Sequence, residues 1–331
     1  MKLGPMNKIR VAPVVLALLA AAAFLWPKPA KSYLAQYNAH NGAVSRAHWD
    51  FSQFPVQWNF NPAAASNVSG AAPAQEVIAT SFTTWMAAPN TAISISRGGD
   101  TQISSAGFDG VNLVCFTCTT DFNSDGALAV TFTTMANGPG ADTKHGGTSR
   151  FAGQILDADI LFNPAMNFST DGSGGNDMQT VATHEIGHFL GLDHSAVVKA
   201  TMFPFAPPVA EHALSYDDVA AISILYPKNS PDVPTGSISG TVAMNGSPVF
   251  GAHVFADSAT AALPYPASVR KTPIGTLSMP DGTYQIQGVP PDRYAVAAEP
   301  LDGPVTNSNV FSYAPAFGRT TVQTNFTTRW H

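Results

Sequence analysis

Along this chain the spacing of apolar positions changes period several times, and each change marks a predicted element. Residues 54–60 alternate, with Val56, Trp58 and Phe60 apolar, which predicts a strand with one buried face. Residues 74–88 set Val77, Ile78, Phe82, Trp85 and Met86 on one stripe of a helix that packs in the core. Residues 92–96 and 111–116 read as strands, separated by Gly98, Gly99 and Gly110. Alternation returns at 127–134 through Leu128, Val130 and Phe132, and residues 154–163 hold the strong strand pattern ILDADILF. The period is helical from 177. After a polar, proline-bearing stretch at 228–236, short strands follow at 237–242, 252–256, 283–287, 294–298 and 321–327. Asp281-Gly282 and Pro290-Pro291-Asp292 supply turns between them. The expected fold class is α+β, a mixed sheet with helices, followed by a small all-β sandwich.

Chemistry concentrates at residues 177–195, DMQTVATHEIGHFLGLDHS, which contain the pattern HExxHxxGxxH. Helical residues four apart share a face, so His184 and His188 can aim two imidazoles at one ion. Gly191 adopts positive φ at low cost, so it can end the helix and turn the chain back. That turn offers His194 as a third ligand and leaves one coordination position open, the arrangement of catalytic rather than structural zinc. Glu185 is not needed to hold a metal. Its expected role is general base, taking a proton from a zinc-bound water and passing it to the leaving group. The plainer alternative is a buried amphipathic helix whose histidines only pack, but five residues fixed at set spacing favour the metal.

This motif, followed by Met202 in Ala200-Thr201-Met202-Phe203-Pro204, resembles the metzincin metalloendopeptidases. Ser195 directly after the third histidine, and the short spacer to Met202, resemble the matrixin branch. Leu214-Ser215-Tyr216-Asp217-Asp218-Val219 through Leu225-Tyr226-Pro227 is similar to that branch's closing helix with its aspartate pair. The resemblance covers residues 51–227. It implies Zn(2+) on His184, His188 and His194, with Met202 packed beneath the ligands as a Met-turn. It also implies a substrate pocket lined by Thr180, with Pro204 and Phe205 on the opposite wall, and protein or peptide substrates. By order, strand 127–134 falls where matrixins have the edge strand above the cleft, although a plain sheet strand reads the same way.

Asp121, Asn123 and Asp125 match the first half of a calcium loop, but Phe132 occupies the place of its distal glutamate, and Asp125-Gly126 is also a hairpin turn. Ca(2+) is therefore a candidate second metal. The family's structural-zinc pattern is not reproduced, and His145 is the only histidine nearby. Asp157 and Asp159 share one strand face, where they either ligate calcium or accept from loop amides. Residues 31–50 hold no cysteine that could cap a metal, so latency by that route is not expected.

Lys+Arg 16 against Asp+Glu 22 gives a net charge of −6, which argues against nucleic acid or anionic membrane as a partner. Lys2, Lys8 and Arg10 precede an apolar run at 11–26 that ends at Pro27, so residues 1–30 read as a secretory signal, with an uncleaved anchor as the alternative. The expected location is secreted, extracellular or periplasmic, with no stable membrane insertion once the signal is removed. Cys115 and Cys118, in CFTC, form either a local disulfide or two free thiols.

The expected division is signal 1–30, N-terminal segment 31–50, catalytic domain 51–227, linker 228–236 and sandwich 237–331. In the last part ISGTV, GAHVFAD and DGTYQIQGVPPDRYAVAAE resemble the carboxypeptidase-regulatory, transthyretin-like module. It carries no convergent acid, base or nucleophile, so its expected role is a stabilising or binding appendage whose partner the residues do not name. The expected function is a secreted zinc-dependent endopeptidase. The rival is an exported binding or adhesion protein with a slow or vestigial zinc site.

Overall fold

A computed structural model of the chain describes residues 35–63, 67–118, 126–141, 148–207, 209–260 and 263–331. The expected signal, the calcium-loop residues Asp121, Asn123 and Asp125, and His145 lie outside the described residues.

Residues 37–46 form a hairpin of β1 (Tyr37–His40) and β2 (Ala43–Arg46). Asn41 and Gly42, both at positive φ, make its tight turn. The central sheet follows from β3 (Val56–Phe60), β4 (Ile95–Asp100), β5 (Leu113–Cys115), β6 (Ala129–Met135) and β7 (Ile155–Phe162). Their spatial order is β4-β3-β5-β7-β6. All pairs are parallel except β6 on β7, whose register runs from Phe162 opposite Ala129 to Ile155 opposite Met135. Strand β6 is thus an edge strand. Near-continuous apolar β7 is buried along most of its length, as a strand covered on both faces should be.

Helix α1 (Ala74–Met86) buries Val77, Ile78, Ser81, Phe82 and Trp85, a single stripe at helical spacing. That stripe packs on β3 and on α2 (Met178–Phe189), with Trp58 and Phe82 stacked at 5.0 Å. The Trp85 indole donates to the Thr183 carbonyl at 2.7 Å, which satisfies the one polar atom of a fully buried ring. A third helix, α3 (Tyr216–Leu225), is opened by a capping box between Ser215 and Asp218. Cys115 and Cys118 are joined in a disulfide, which decides between the two readings of the sequence.

The C-terminal part is antiparallel β. Strands β8 (Gly236–Thr241), β9 (His253–Ser258), β10 (Ile274–Leu277), β11 (Thr283–Val289) and β12 (Tyr294–Glu299) are followed by a short helix α4 (Tyr313–Ala316) and β13 (Arg329–Trp330). One sheet pairs β8 with β11, the other has the order β10-β9-β12-β13. The strand expected at 321–327 is not formed. Val322 instead packs its side chain against Gly251, and the Phe250 and Gln323 pair exchanges two single bonds, so the segment is tied at points rather than laddered. Strand β10 was missed because all four of its residues are buried, which removes the alternation that would announce it.

The polar stretch 228–236 does not leave two independent bodies. Tyr216 and Ala220 of α3 share a buried cluster with Val254, Ile274 and Ile286 of the sandwich. A second shared cluster joins Ala196 and Phe203 to Phe250, Leu277, Val310 and Tyr313, with Tyr37 packed against it. Arg270 completes the junction by donating to the carbonyls of Ala213 and Lys199 and to the Glu211 carboxylate.

Candidate metal centre

Helix α2 starts where the Asp177 carboxylate accepts from the Thr180 amide at 2.7 Å, a side-chain cap that holds the first turn. His184 and His188 follow on one face. The helix ends at Phe189, and Gly191 takes φ +91°. There the chain folds back under the N-terminal segment, with the Gln36 amide donating to the Gly191 carbonyl at 2.9 Å. The turn delivers His194 to the other two histidines. One ligand atom from each of the three imidazoles lies within 4.8 Å of the others, and Nε2 of His188 is 3.3 Å from Nε2 of His194.

The protonation pattern of these rings is set by their outer partners. His184 Nδ1 lies 2.7 Å from the Thr201 carbonyl, His188 Nδ1 is 2.8 Å from that of Leu192, and His194 Nδ1 is 2.6 Å from that of Asn309. A carbonyl only accepts, so every Nδ1 carries the proton and donates it. Each neutral ring then turns an unprotonated Nε2 inward. Two such lone pairs facing each other at 3.3 Å repel unless a cation stands between them. Nitrogens roughly 2.05 Å from one zinc at a tetrahedral angle stand about 3.3 Å apart, which is the spacing of the His188 and His194 pair. Burial, reinforced by the neighbouring histidines, lowers the pKa of His184 to about 3 and that of His188 well below its ordinary value. Both rings are held in the neutral, ligand-competent form.

Glu185 is buried beside them, and burial raises its pKa to about 7. The Thr131 hydroxyl opposes that rise by donating to its carboxylate at 2.6 Å. Thr131 lies on β6, so the edge strand directly touches the acid-base candidate. The alternation of β6 placed Leu128, Val130 and Phe132 on one side and left Thr131 on the other, which is the signal that could have singled it out.

Beneath the ligands, Met202 is buried with its sulfur packed against Gly187 of α2 and close to Trp85. The Asp218 carboxylate accepts from the amides of Thr201 and Met202, at 2.8 and 3.1 Å, and fixes the turn whose Thr201 carbonyl orients His184. Asp217, next to it, accepts from Ser195 Oγ at 2.6 Å. Burial, with the charge of Asp218, raises its pKa to about 7.

The matrixin family profile matches residues 48–227, more than half of the chain. This chain belongs to the matrixin family. It is 46% identical over 78 residues to "Stromelysin-1" of Rattus norvegicus, covering 21% of this chain and 16% of that protein. It is 45% identical over 67 residues to "Karilysin" of Tannerella forsythia, covering 20% and 14%. It is 48% identical over 54 residues to "Metalloendoproteinase 1-MMP" of Arabidopsis thaliana, covering 16% and 15%. The matched part of this matrixin thus spans about a sixth of the length of each of these relatives. Matrixins use catalytic zinc, in keeping with the three converging imidazoles.

Other candidates fare differently. Thr180 spends its hydroxyl on Asp177 Oδ1 and accepts from the Glu211 amide, so it faces a polar network at the helix start. Phe205 is exposed and meets Phe203 edge-on at 5.8 Å. Asp157 and Asp159 accept from the loop amides of Gly107, Gly110 and Leu113 at 2.8–2.9 Å, the second of the two readings of that pair. Asn309, from the sandwich, had no signal in the sequence.

Proposed function

We propose that this matrixin is a secreted zinc-dependent endopeptidase acting on protein or peptide substrates. His184, His188 and His194 hold the ion, and Glu185 is the general acid-base. The observation that carries this reading is the set of three imidazoles with every Nδ1 committed to a carbonyl and every Nε2 free to ligate. The three imidazoles would hold zinc there, and the ion would supply Lewis-acid chemistry toward a peptide carbonyl and a water. Glu185, poised near neutrality, would accept a proton from the attacking water and return it to the departing amine. Among the described residues, edge strand β6 has one side without a sheet partner, where an extended substrate can add as a strand and bring its scissile bond to Glu185. The basic-then-apolar segment 1–30 supports export, and no described helix is long and apolar enough to cross a membrane.

The test is casein hydrolysis by the purified protein and by Glu185→Gln, with metal content measured on both. Wild type should carry one zinc and lose activity to a chelator, and Glu185→Gln should keep the zinc and lose hydrolysis by at least about 100-fold. A zinc-loaded wild type that leaves casein and a peptide library intact would return the function to the sandwich as a binding protein.

A further inference from the structure

We propose that the C-terminal module is a working part of the metal centre, because its 306–312 loop positions the third ligand, His194. Three consecutive residues are each tied to it. The Asp193 carboxylate accepts from Ser312 Oγ. His194 Nδ1 donates to the Asn309 carbonyl at 2.6 Å. Ser195 Oγ donates to Asp217, whose other carboxylate oxygen accepts from the Gly275 amide at 2.8 Å.

The asymmetry among the ligands gives these ties their meaning. His184 and His188 stand on a helix, and both Nδ1 partners, Thr201 and Leu192, come from the catalytic domain. His194 stands on irregular chain past the Gly191 turn, where no helical backbone fixes its ring. Among the described residues, its Nδ1 partner comes from 115 residues downstream, in the module. A carbonyl on Nδ1 fixes the tautomer and the ring plane, and losing such an outer partner typically weakens metal binding about 10–100-fold. The Asn309 carbonyl is itself well placed. Its side-chain oxygen accepts from the Thr306 amide at 2.8 Å and from the Thr306 hydroxyl at 3.1 Å, and its own amide donates back to the Thr306 carbonyl. The next residue, Val310, is fully buried in the cluster that includes Ala196. The module therefore holds His194 through a closed turn anchored in a shared core, and Asn309 is a positioning residue for it.

This inference rests on the three histidines being the zinc ligands. Zinc dissociation constants of the full-length protein, measured by competition with a chromogenic chelator, test it alongside the unfolding temperatures of the zinc-free forms. Asn309→Ala releases the turn and should weaken zinc about tenfold or more. Asn309→Asp keeps an acceptor for Thr306 and should restore affinity to within about threefold of wild type. Ser258→Ala, which cuts the module's bond to Asp292 away from the loop, should leave zinc affinity unchanged. The cobalt-substituted Asn309→Ala protein should also show an altered visible spectrum. Wild-type affinity in Asn309→Ala, or an equal loss in Ser258→Ala, overturns the proposal. Should Asn309→Ala not fold, Ser312→Ala is read in the same competition, and unchanged affinity there overturns it as well. A wild type that binds no zinc would instead overturn the ligand assignment itself.

Discussion

Replacing Gly191 by alanine tests the turn on which the metal centre depends. At φ +91° the residue is in the left-handed region, where a side chain costs about 1–2 kcal/mol. A Cβ there would overlap the carbonyl oxygen of Ala47 and stand 2.9 Å from its carbon. These are backbone atoms and cannot rotate away, so overpacking adds about 1–3 kcal/mol. If the turn shifts to escape, the bond from the Gln36 amide to the Gly191 carbonyl goes too, about 1 kcal/mol more. The expected loss is about 2–6 kcal/mol, which lowers the unfolding temperature by roughly 5–20 °C for a domain of this size. Calorimetry on the zinc-free protein isolates the fold term, and chelator competition reads the displacement of His194. Gly172→Ala is the control, since it shares positive φ (+73°) but has nothing within 4 Å of the added carbon. It should cost about 1–2 kcal/mol only. A Gly191→Ala protein that melts within about 2 °C of wild type and binds zinc as tightly would refute the reasoning.

Thr131→Val removes the hydroxyl that favours ionised Glu185, so the acid limb of the kcat/KM profile should move to higher pH. A limb that stays in place would remove Thr131 from the site. Burial raises Asp157, which also feels the Asp159 charge, to about 7, and raises Asp159 to about 6. The folded chain then binds more protons than the unfolded one between about pH 4 and 7, and this pair lowers stability as pH rises through that window. Asp157→Asn should gain on wild type from pH 5 to pH 8 in urea unfolding, by at most about 1.4 kcal/mol per pH unit. Converting Cys115 and Cys118 together to alanine opens a loop of four residues, so it should cost only about 2 kcal/mol and leave the zinc content unchanged, as denaturation and metal analysis would show. Ser195→Ala takes a donor from the buried Asp217 carboxylate and should destabilise by about 1–3 kcal/mol in the same denaturation assay.

Sequence alone singled out the candidate ligands, the acid-base candidate and the helix that presents them, because His184, Glu185 and His188 fall within about one helical turn. His184 and His188 share a face by helical geometry, and Gly191 announces the turn by what only glycine does cheaply. Period also found β3, β7 and α1 to within a few residues, and the family resemblance pointed to α3. It failed where burial on both sides erased alternation, as at β10, and where a turn made a hairpin out of the polar residues 37–46. Tertiary structure alone decided what the outer nitrogen, Nδ1, of each imidazole leans on. The carbonyls of Thr201, Leu192 and Asn309 are backbone groups, identical in every residue, so no side-chain pattern distinguishes them from any other carbonyl. The same holds for Thr131, one hydroxyl among several on its strand until β6 lies at the edge of the sheet and over Glu185. Long-range packing, through the two clusters that join the sandwich to the catalytic domain, is what brings a loop past residue 300 to a histidine at 194.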